Sequence, residues 1–155
     1  MNYFSAFISG LVEGEGCFCV SFSQRKKMTL GIEVRPSFSI SQNKRNLVLL
    51  QKINTFFGCG AIRLSKRDRT YKYEVRSVEN LVKIIIPHFE SNPLCGIKQN
   101  EFLRFKEIIK IIHRNHHLNP NGMKQIIHLA YQLNESGKRK FNQMELLRLL
   151  DKMKI

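Results

Sequence analysis

"FISGLVEGEGCF" (residues 7–18) begins as an apolar helix and ends with Glu13 and Glu15 set among Gly10, Gly14 and Gly16. Glycine inside a helix costs about 1 kcal/mol relative to alanine, so a cluster of three marks a place where something other than helix propensity is selected. Phe4, Phe7, Ile8 and Leu11 recur at helical spacing, which predicts a helix from Asn2 to Gly14. Gly10 and Gly14, four apart, share one face of it. Acids near a helix C-terminus oppose the macrodipole, which favours cations there, so Glu13 and Glu15 need a reason beyond solubility.

Directly after this stretch the apolar period changes from helical to two. In "CFCVSFSQ" (17–24), Phe18, Val20 and Phe22 face one way, and Cys19, Ser21 and Ser23 the other. A basic turn, "QRKKMTLG", leads to a second strand over 32–42, with Ile32, Val34, Phe38 and Ile40 inward. Glu33, Arg35, Ser37, Ser39 and Ser41 take its other face, and Pro36 in mid-strand predicts an edge position or a bulge. Residues 46–58 read as an amphipathic helix with Gly58 as C-cap. Two strands follow over 60–66 and 71–76, with Ile62, Leu64, Tyr71, Tyr73 and Val75 inward and "SKRDRT" as their turn. Ser77 is placed to cap a helix over 78–89. "ESNPLCG" reads as a loop, Lys98–His113 as a long helix, and "HHLNPNG" as a break before one or two helices in 121–155. The order α-β-β-α-β-β-α with a helical tail predicts an α+β fold. In it, a four-stranded antiparallel sheet packs its apolar face on helices and leaves a polar face rich in Arg, Lys and Ser.

Bulk numbers agree with one domain over 1–155. The chain has 155 residues, 43% of them hydrophobic, and 26 Lys and Arg against 12 acids, for a net charge of +14. That imbalance points to a polyanionic partner; by itself it fits a ribosomal-type binder equally well. The longest apolar runs, at 84–89 and 108–112, are far too short to span a bilayer, and no basic segment precedes an apolar one at the N-terminus. No membrane partner or secretory signal is expected. Cys17, Cys19, Cys59 and Cys95 are scattered and read as reduced thiols of an intracellular protein. The abundance of Ile, Lys and Asn suggests an AT-rich, organellar gene.

"ISGLVEGEG" (8–16), with the "CF" that follows and the strand pattern after it, resembles the signature of the LAGLIDADG homing endonucleases, and the element order is similar to that family's fold over about residues 3–113, leaving a helical tail over about 118–155. The sequence carries one copy of the signature, which corresponds to the homodimeric type. The resemblance implies that the signature helix packs on its equivalent in a second chain. Gly10 and Gly14 would let the backbones approach, with Phe7 and Leu11 beside them. It implies that Glu15 ligates a divalent metal near the two-fold axis, with the Gly14 carbonyl a second ligand, and that Glu13 is structural. Gln42 matches the position of a solvent-ordering polar residue, and Lys98 that of a basic residue near the scissile phosphate. Glu stands at both acidic positions where the signature has Asp, and Ser9 stands where it has Ala.

The implied reaction is Mg²⁺-dependent hydrolysis of a phosphodiester, with Mn²⁺ a substitute. The implied partner is a long pseudo-palindromic duplex, cut across the minor groove to leave short 3′ overhangs in the service of intron or intein mobility. Alternation directs Cys19, Ser21, Ser23, Glu33, Arg35, Ser37 and Ser39 from the first hairpin toward DNA, and Arg63, Ser65, Lys72, Glu74 and Arg76 from the second. Arg25, Lys26, Lys27, Lys66, Arg67 and Arg69 lie in the turns, where they reach backbone phosphates; Lys44 and Arg45 sit near the cleavage point. Two alternatives keep the fold and drop cleavage: an RNA maturase that binds intron RNA, and a DNA-binding regulator. "HRNHHLNPNG" (113–122) superficially matches an HNH nuclease or zinc site, but no Cys or carboxylate lies nearby and the ββα context is missing. His113, His116 and His117 are expected instead to close a helix.

Overall fold

The computed structural model describes residues 2–135 and 137–153. Helix α1 (Tyr3–Glu15) starts one residue later than the sequence predicts, because Asn2 serves as its N-cap: the Asn2 side chain accepts the Phe4 N–H at 3.1 Å. It also ends one residue later, so Glu15 is its last helical residue. Gly16 turns the chain straight into strand β1 (Gly16–Gln24). A Cβ at Gly16 would lie 2.5 Å from Val12 Cγ1 and 2.8 Å from the Val12 carbonyl, so this abrupt exit excludes any side chain.

Strands β2 (Ile32–Asn43), β3 (Ala61–Ser65) and β4 (Thr70–Val75) complete an antiparallel sheet of order β1-β2-β4-β3. Pro36 sits opposite Val20 of β1, while β4 pairs only with residues 38–43 of β2. Pro36 therefore lies where β2 has one neighbour, a local edge that needs no second donor. Leu64 departs from expectation. It shares the inward face with Ile62, yet it is 46% exposed, because β3 is the sheet's edge and its far end reaches past the helices that cover the rest.

Between the hairpins, a short 3₁₀ turn (Lys44–Asn46) leads into α2 (Leu47–Phe57), closed by Gly58 in the left-handed region at φ 66°. Helix α3 covers residues 78–91, two beyond the expected end. Ser77 caps it by accepting the Asn80 N–H, and Leu81–Ile85 form a wide π turn. Pro87 explains that turn: it has no N–H to give to the preceding turn, and its ring displaces the carbonyl there. Helix α4 (Ile97–His113) follows, and a 3₁₀ turn (His116–Leu118) holds His116 and His117. "HHLNPNG" both ends α4 and starts α5 (Pro120–Ala130), since Asn119 accepts the Gly122 N–H at 2.8 Å. Helix α6 (Gln143–Lys152) opens with a capping box between Asn142 and Glu145.

The helices pack on the apolar face of the sheet. Phe18 lies at the centre, with ring centroids 5.3–5.6 Å from those of Phe38, Phe89, Phe102 and Phe105. These four aromatic neighbours are fully or almost fully buried. The buried Tyr73 hydroxyl donates to the Cys59 carbonyl at 2.8 Å, and burial pushes its pKa above the usual range. The tail is tied to the open edge of β1. Asn134 donates to the Phe18 carbonyl at 2.8 Å and Arg139 to the Val20 carbonyl at 2.8 Å, so two edge carbonyls gain side-chain partners. Arg139 also donates to the Ala130 and Leu133 carbonyls and stacks 4.5 Å over the Tyr131 ring.

Candidate functional site

Helix α1 presents two distinct faces. Ser5, Ile8, Ser9 and Val12 are buried against the chain's own core. Tyr3 (83% exposed), Phe7 (36%), Gly10 and Gly14 form a stripe on the other side. A Cβ built at Gly10 or Gly14 meets nothing within 4 Å. Neither glycine is required by a contact with the described residues of the chain. Leu11 is half-buried and packs on the chain's own core, at the margin of that stripe.

The two acids of the signature behave differently. Glu13 turns inward and accepts the backbone N–H groups of Cys95 and, at 2.8 Å, Gly96, the two residues before α4. Gln99 accepts the Leu94 N–H at 3.1 Å, so three successive amides at the entry to α4 are held by side chains. Glu15 is exposed at the C-terminal end of α1, and among the described residues its carboxylate has no hydrogen-bond or ion-pair partner. No group of three or more His, Cys, Asp or Glu side chains comes together among the described residues.

Gln42 and Lys98 each lie near the start of β1, which Glu15 precedes. Gly16 pairs with Ile40, so Gln42 lies just beyond the start of β1; its side chain accepts the Asn46 amide at 2.7 Å. Lys98 is in the first turn of α4 and pairs with Glu101 at 3.0 Å. Its charge is felt at Cys17, the second residue of β1, whose thiol is pushed up first by its hydrogen bond with Cys19 and then by burial, against the pull of Lys98. Glu101 carried no signal in the sequence, since lysine and glutamate three apart are common on helices.

The polar sheet face forms a groove of about 590 Å³, lined among others by Cys17, Cys19, Ser21, Arg35, Ser37, Ser41, Lys72, Glu74 and Arg76. Ser39 faces it from the middle of the sheet but is only 5% exposed, enclosed by its cross-strand neighbours Cys17 and Glu74. The Cys19 thiol is drawn below the ordinary cysteine range, chiefly by the hydrogen bond with Cys17 and then by Arg139 and Lys72. The two acids on this face are already paired. Glu33 accepts from Ser23 at 3.0 Å and holds Arg25 and Arg35, each at 2.8 Å, and Arg35 is the main reason its carboxyl titrates below the usual range. Glu74 pairs with Arg76 at 3.0 Å.

Arg63 and Lys72 lie directly opposite each other in the register of β3 and β4, and neither has an ion-pair partner among the described residues. Like charges opposed across a ladder are unfavourable unless an anion sits between them. Lys26 and Lys27 are exposed in the turn that Arg25 closes by donating its N–H to the Gly31 carbonyl at 2.9 Å. Lys66, Arg67 and Arg69 are exposed at the tip of the other hairpin, beside a 3.3 Å bond from Ser65 to Asp68. The Lys44 N–H donates to the Arg69 carbonyl at 3.3 Å, so Lys44 and Arg45 sit where the two hairpins meet. Near the first hairpin, a cavity of about 290 Å³ adds Lys138, Arg139 and Lys140 of the tail. No helix among the described residues is long and apolar enough to cross a membrane.

Comparison with known proteins follows the same lines. A family model described as LAGLIDADG endonuclease matches residues 8–109. A probable intron-encoded endonuclease 3 of Neurospora crassa is 32% identical over 127 residues, covering 81% of this chain and 24% of that protein. A crystal structure of the homing endonuclease I-TnaI has a TM-score of 0.84 at 33% identity, covering 99% of both chains. The archaeal intron-encoded homing endonuclease I-Vdi141I, solved in complex with DNA, has a TM-score of 0.90 at 31% identity, covering 98% of this chain and 97% of that one. The chain spans from about a quarter to about half of the length of the first curated relatives it matches, at 24%, 49% and 26%.

Proposed function

The chain belongs to the LAGLIDADG endonuclease family, and from that premise we propose that it is a homing endonuclease: two copies join through α1 and make a site-specific double-strand break in duplex DNA. The observation that carries the reading is the pair of glycines on the open face of α1, required by no contact with the described residues, on the helix that ends in the unpartnered Glu15. Close approach of two such helices brings the two Glu15 carboxylates together, and two carboxylates at an axis repel unless a cation lies between them. The donors fit a hard divalent ion. Glu15 offers carboxylate oxygens, and Gly14 lies in the last turn of a helix, where carbonyls lack intrahelical partners.

Mg²⁺, or Mn²⁺ in its place, would supply an activated water and a counter-charge for the leaving 3′ oxygen. The chain's own residues do the rest. Gln42 orders solvent at the end of β2, and Lys98 presents its ammonium toward the scissile phosphate. The polar groove reads base edges, with Arg35, Arg63, Lys72 and Arg76 as donors and the serines as adaptable partners. Lysines and arginines of the two turns and of Lys44–Asn46 hold backbone phosphates.

The names of the relatives support cleavage over the maturase reading, since those that state an activity are endonucleases. Other relatives are named for a cox1 intron and an ND4 intron, which supports an organellar intron as the gene's home. The test is exposure of the native chain to a library of randomised duplexes with Mg²⁺, followed by sequencing of the cut ends. A single long near-palindrome with short 3′ overhangs is the expected product. Binding without any cut, in Mg²⁺ or Mn²⁺, would sink the nuclease reading.

A further inference from the structure

We propose that Glu101 is a positioning residue for Lys98, holding its ammonium in place before DNA arrives; this rests on the reading of Lys98 as a group that acts on the scissile phosphate. The pair is unlike the ordinary ion pairs of the surface. Lys83 and Glu79 are also one helical turn apart, but their side chains are 68% and 69% exposed, and such pairs contribute little. The side chains of Lys98 and Glu101 are 19% and 13% exposed, with Nζ 3.0 Å from Oε2. A charge removed from most of its water needs a specific counter-charge, and Glu101 supplies it.

The surroundings are equally fixed. Glu13 and Gln99 hold the amides of Leu94, Cys95 and Gly96, which sets the start of α4 relative to α1. Phe102, next to Glu101, is 1% exposed and locks the same turn of α4 into the core beneath β1. Cys17, close enough to sense both charges, is the second residue of β1, two beyond Glu15, and its sulfur accepts a 3.5 Å bond from Asn134. Lys98 is thus a long, flexible side chain whose freedom has been removed in advance. Catalysis gains from such preorganisation because the cation does not have to be ordered when the phosphate binds.

The experiment is a double-mutant cycle on the cleaved duplex, joined to a measurement that does not depend on cleavage. Glu101→Ala is expected to lower kcat by about 10- to 100-fold with KM unchanged. Glu101→Asp should restore part of that loss. Lys98→Ala with Glu101→Ala together should cut no more slowly than Lys98→Ala alone, because Glu101 has nothing else to position. In parallel, acetylation of the Lys98 amine, followed by mass spectrometry, should speed up in Glu101→Ala against Lys83 as the internal reference. If the two losses multiply in the double variant, or KM rises with kcat unchanged, Glu101 is structural and the proposal is overturned. Unchanged acetylation of Lys98 overturns it as well. A native chain that cuts no duplex brings down the nuclease reading, and the positioning role with it, while a faster acetylation in Glu101→Ala would still show the ion pair itself to be real.

Discussion

Glu13 and Glu15 are two residues apart and do opposite work. Glu13 is spent on the chain itself, accepting two amides at the entry to α4, and charge-assisted bonds of this kind contribute about 1.5–3 kcal/mol each. Thermal melts should therefore show Glu13→Ala lowering Tm by several degrees and Glu15→Gln leaving it unchanged. His88 is a half-buried imidazole in an aromatic pocket. Its ring lies among Phe56, Phe57 and Phe89, its Nε2 is buried without a partner among the described residues, and burial lowers its pKa from 6.5 to about 4. The folded state then binds this proton less readily than the unfolded state does. Stability present above pH 6.5 is lost progressively as pH falls toward 4. Denaturant titrations across that window should be less steep in pH for His88→Phe than for the native chain. Iodoacetamide should modify Cys19 faster than Cys17 near neutral pH, and bound duplex should protect Cys19, since it lines the groove.

At the scale of elements, α1 is a helix with one face for the core and one for another molecule. Gly10→Leu has open space around it and improves helix propensity by a few tenths of a kcal/mol or more, so the isolated chain should melt no lower than the native one. Sedimentation should nevertheless show fewer dimers, because the added side chain holds the two helices apart. The sequence displayed this element clearly: glycines in a helix and a sudden change of period have few structural explanations. It displayed the strands too, through clean alternation, and it placed Pro36 at an edge. Other features were hidden for physical reasons. Leu64 follows the inward pattern, but which end of an edge strand escapes cover depends on where helices stop. Glu33 lies on the expected face, yet its engagement with Ser23, Arg25 and Arg35 follows from rotamers that alternation does not specify. The tail's hold on β1 joins Asn134 and Arg139 to carbonyls 116 and 119 residues away, and single polar residues in a loop do not announce such partners.

For the molecule as a whole, a net charge of +14 is gathered on two hairpins, a connecting turn and part of the tail, around a groove whose acids are already neutralised. Such a surface repels itself until a polyanion arrives. Binding to duplex should weaken steeply with salt, and replacing Arg63 and Lys72 together with Ala should reduce the slope of log K against log salt by about 1 to 2. Within that surface, Glu15 is the group on which cleavage depends, and binding does not need it. The most direct test measures affinity and cleavage side by side for the native chain and Glu15→Gln on the same duplex with Mg²⁺. Equal affinity, within a few-fold, and cleavage reduced by at least about a thousandfold are the expected results. Cleavage retained by Glu15→Gln at a rate near the native one would contradict that dependence.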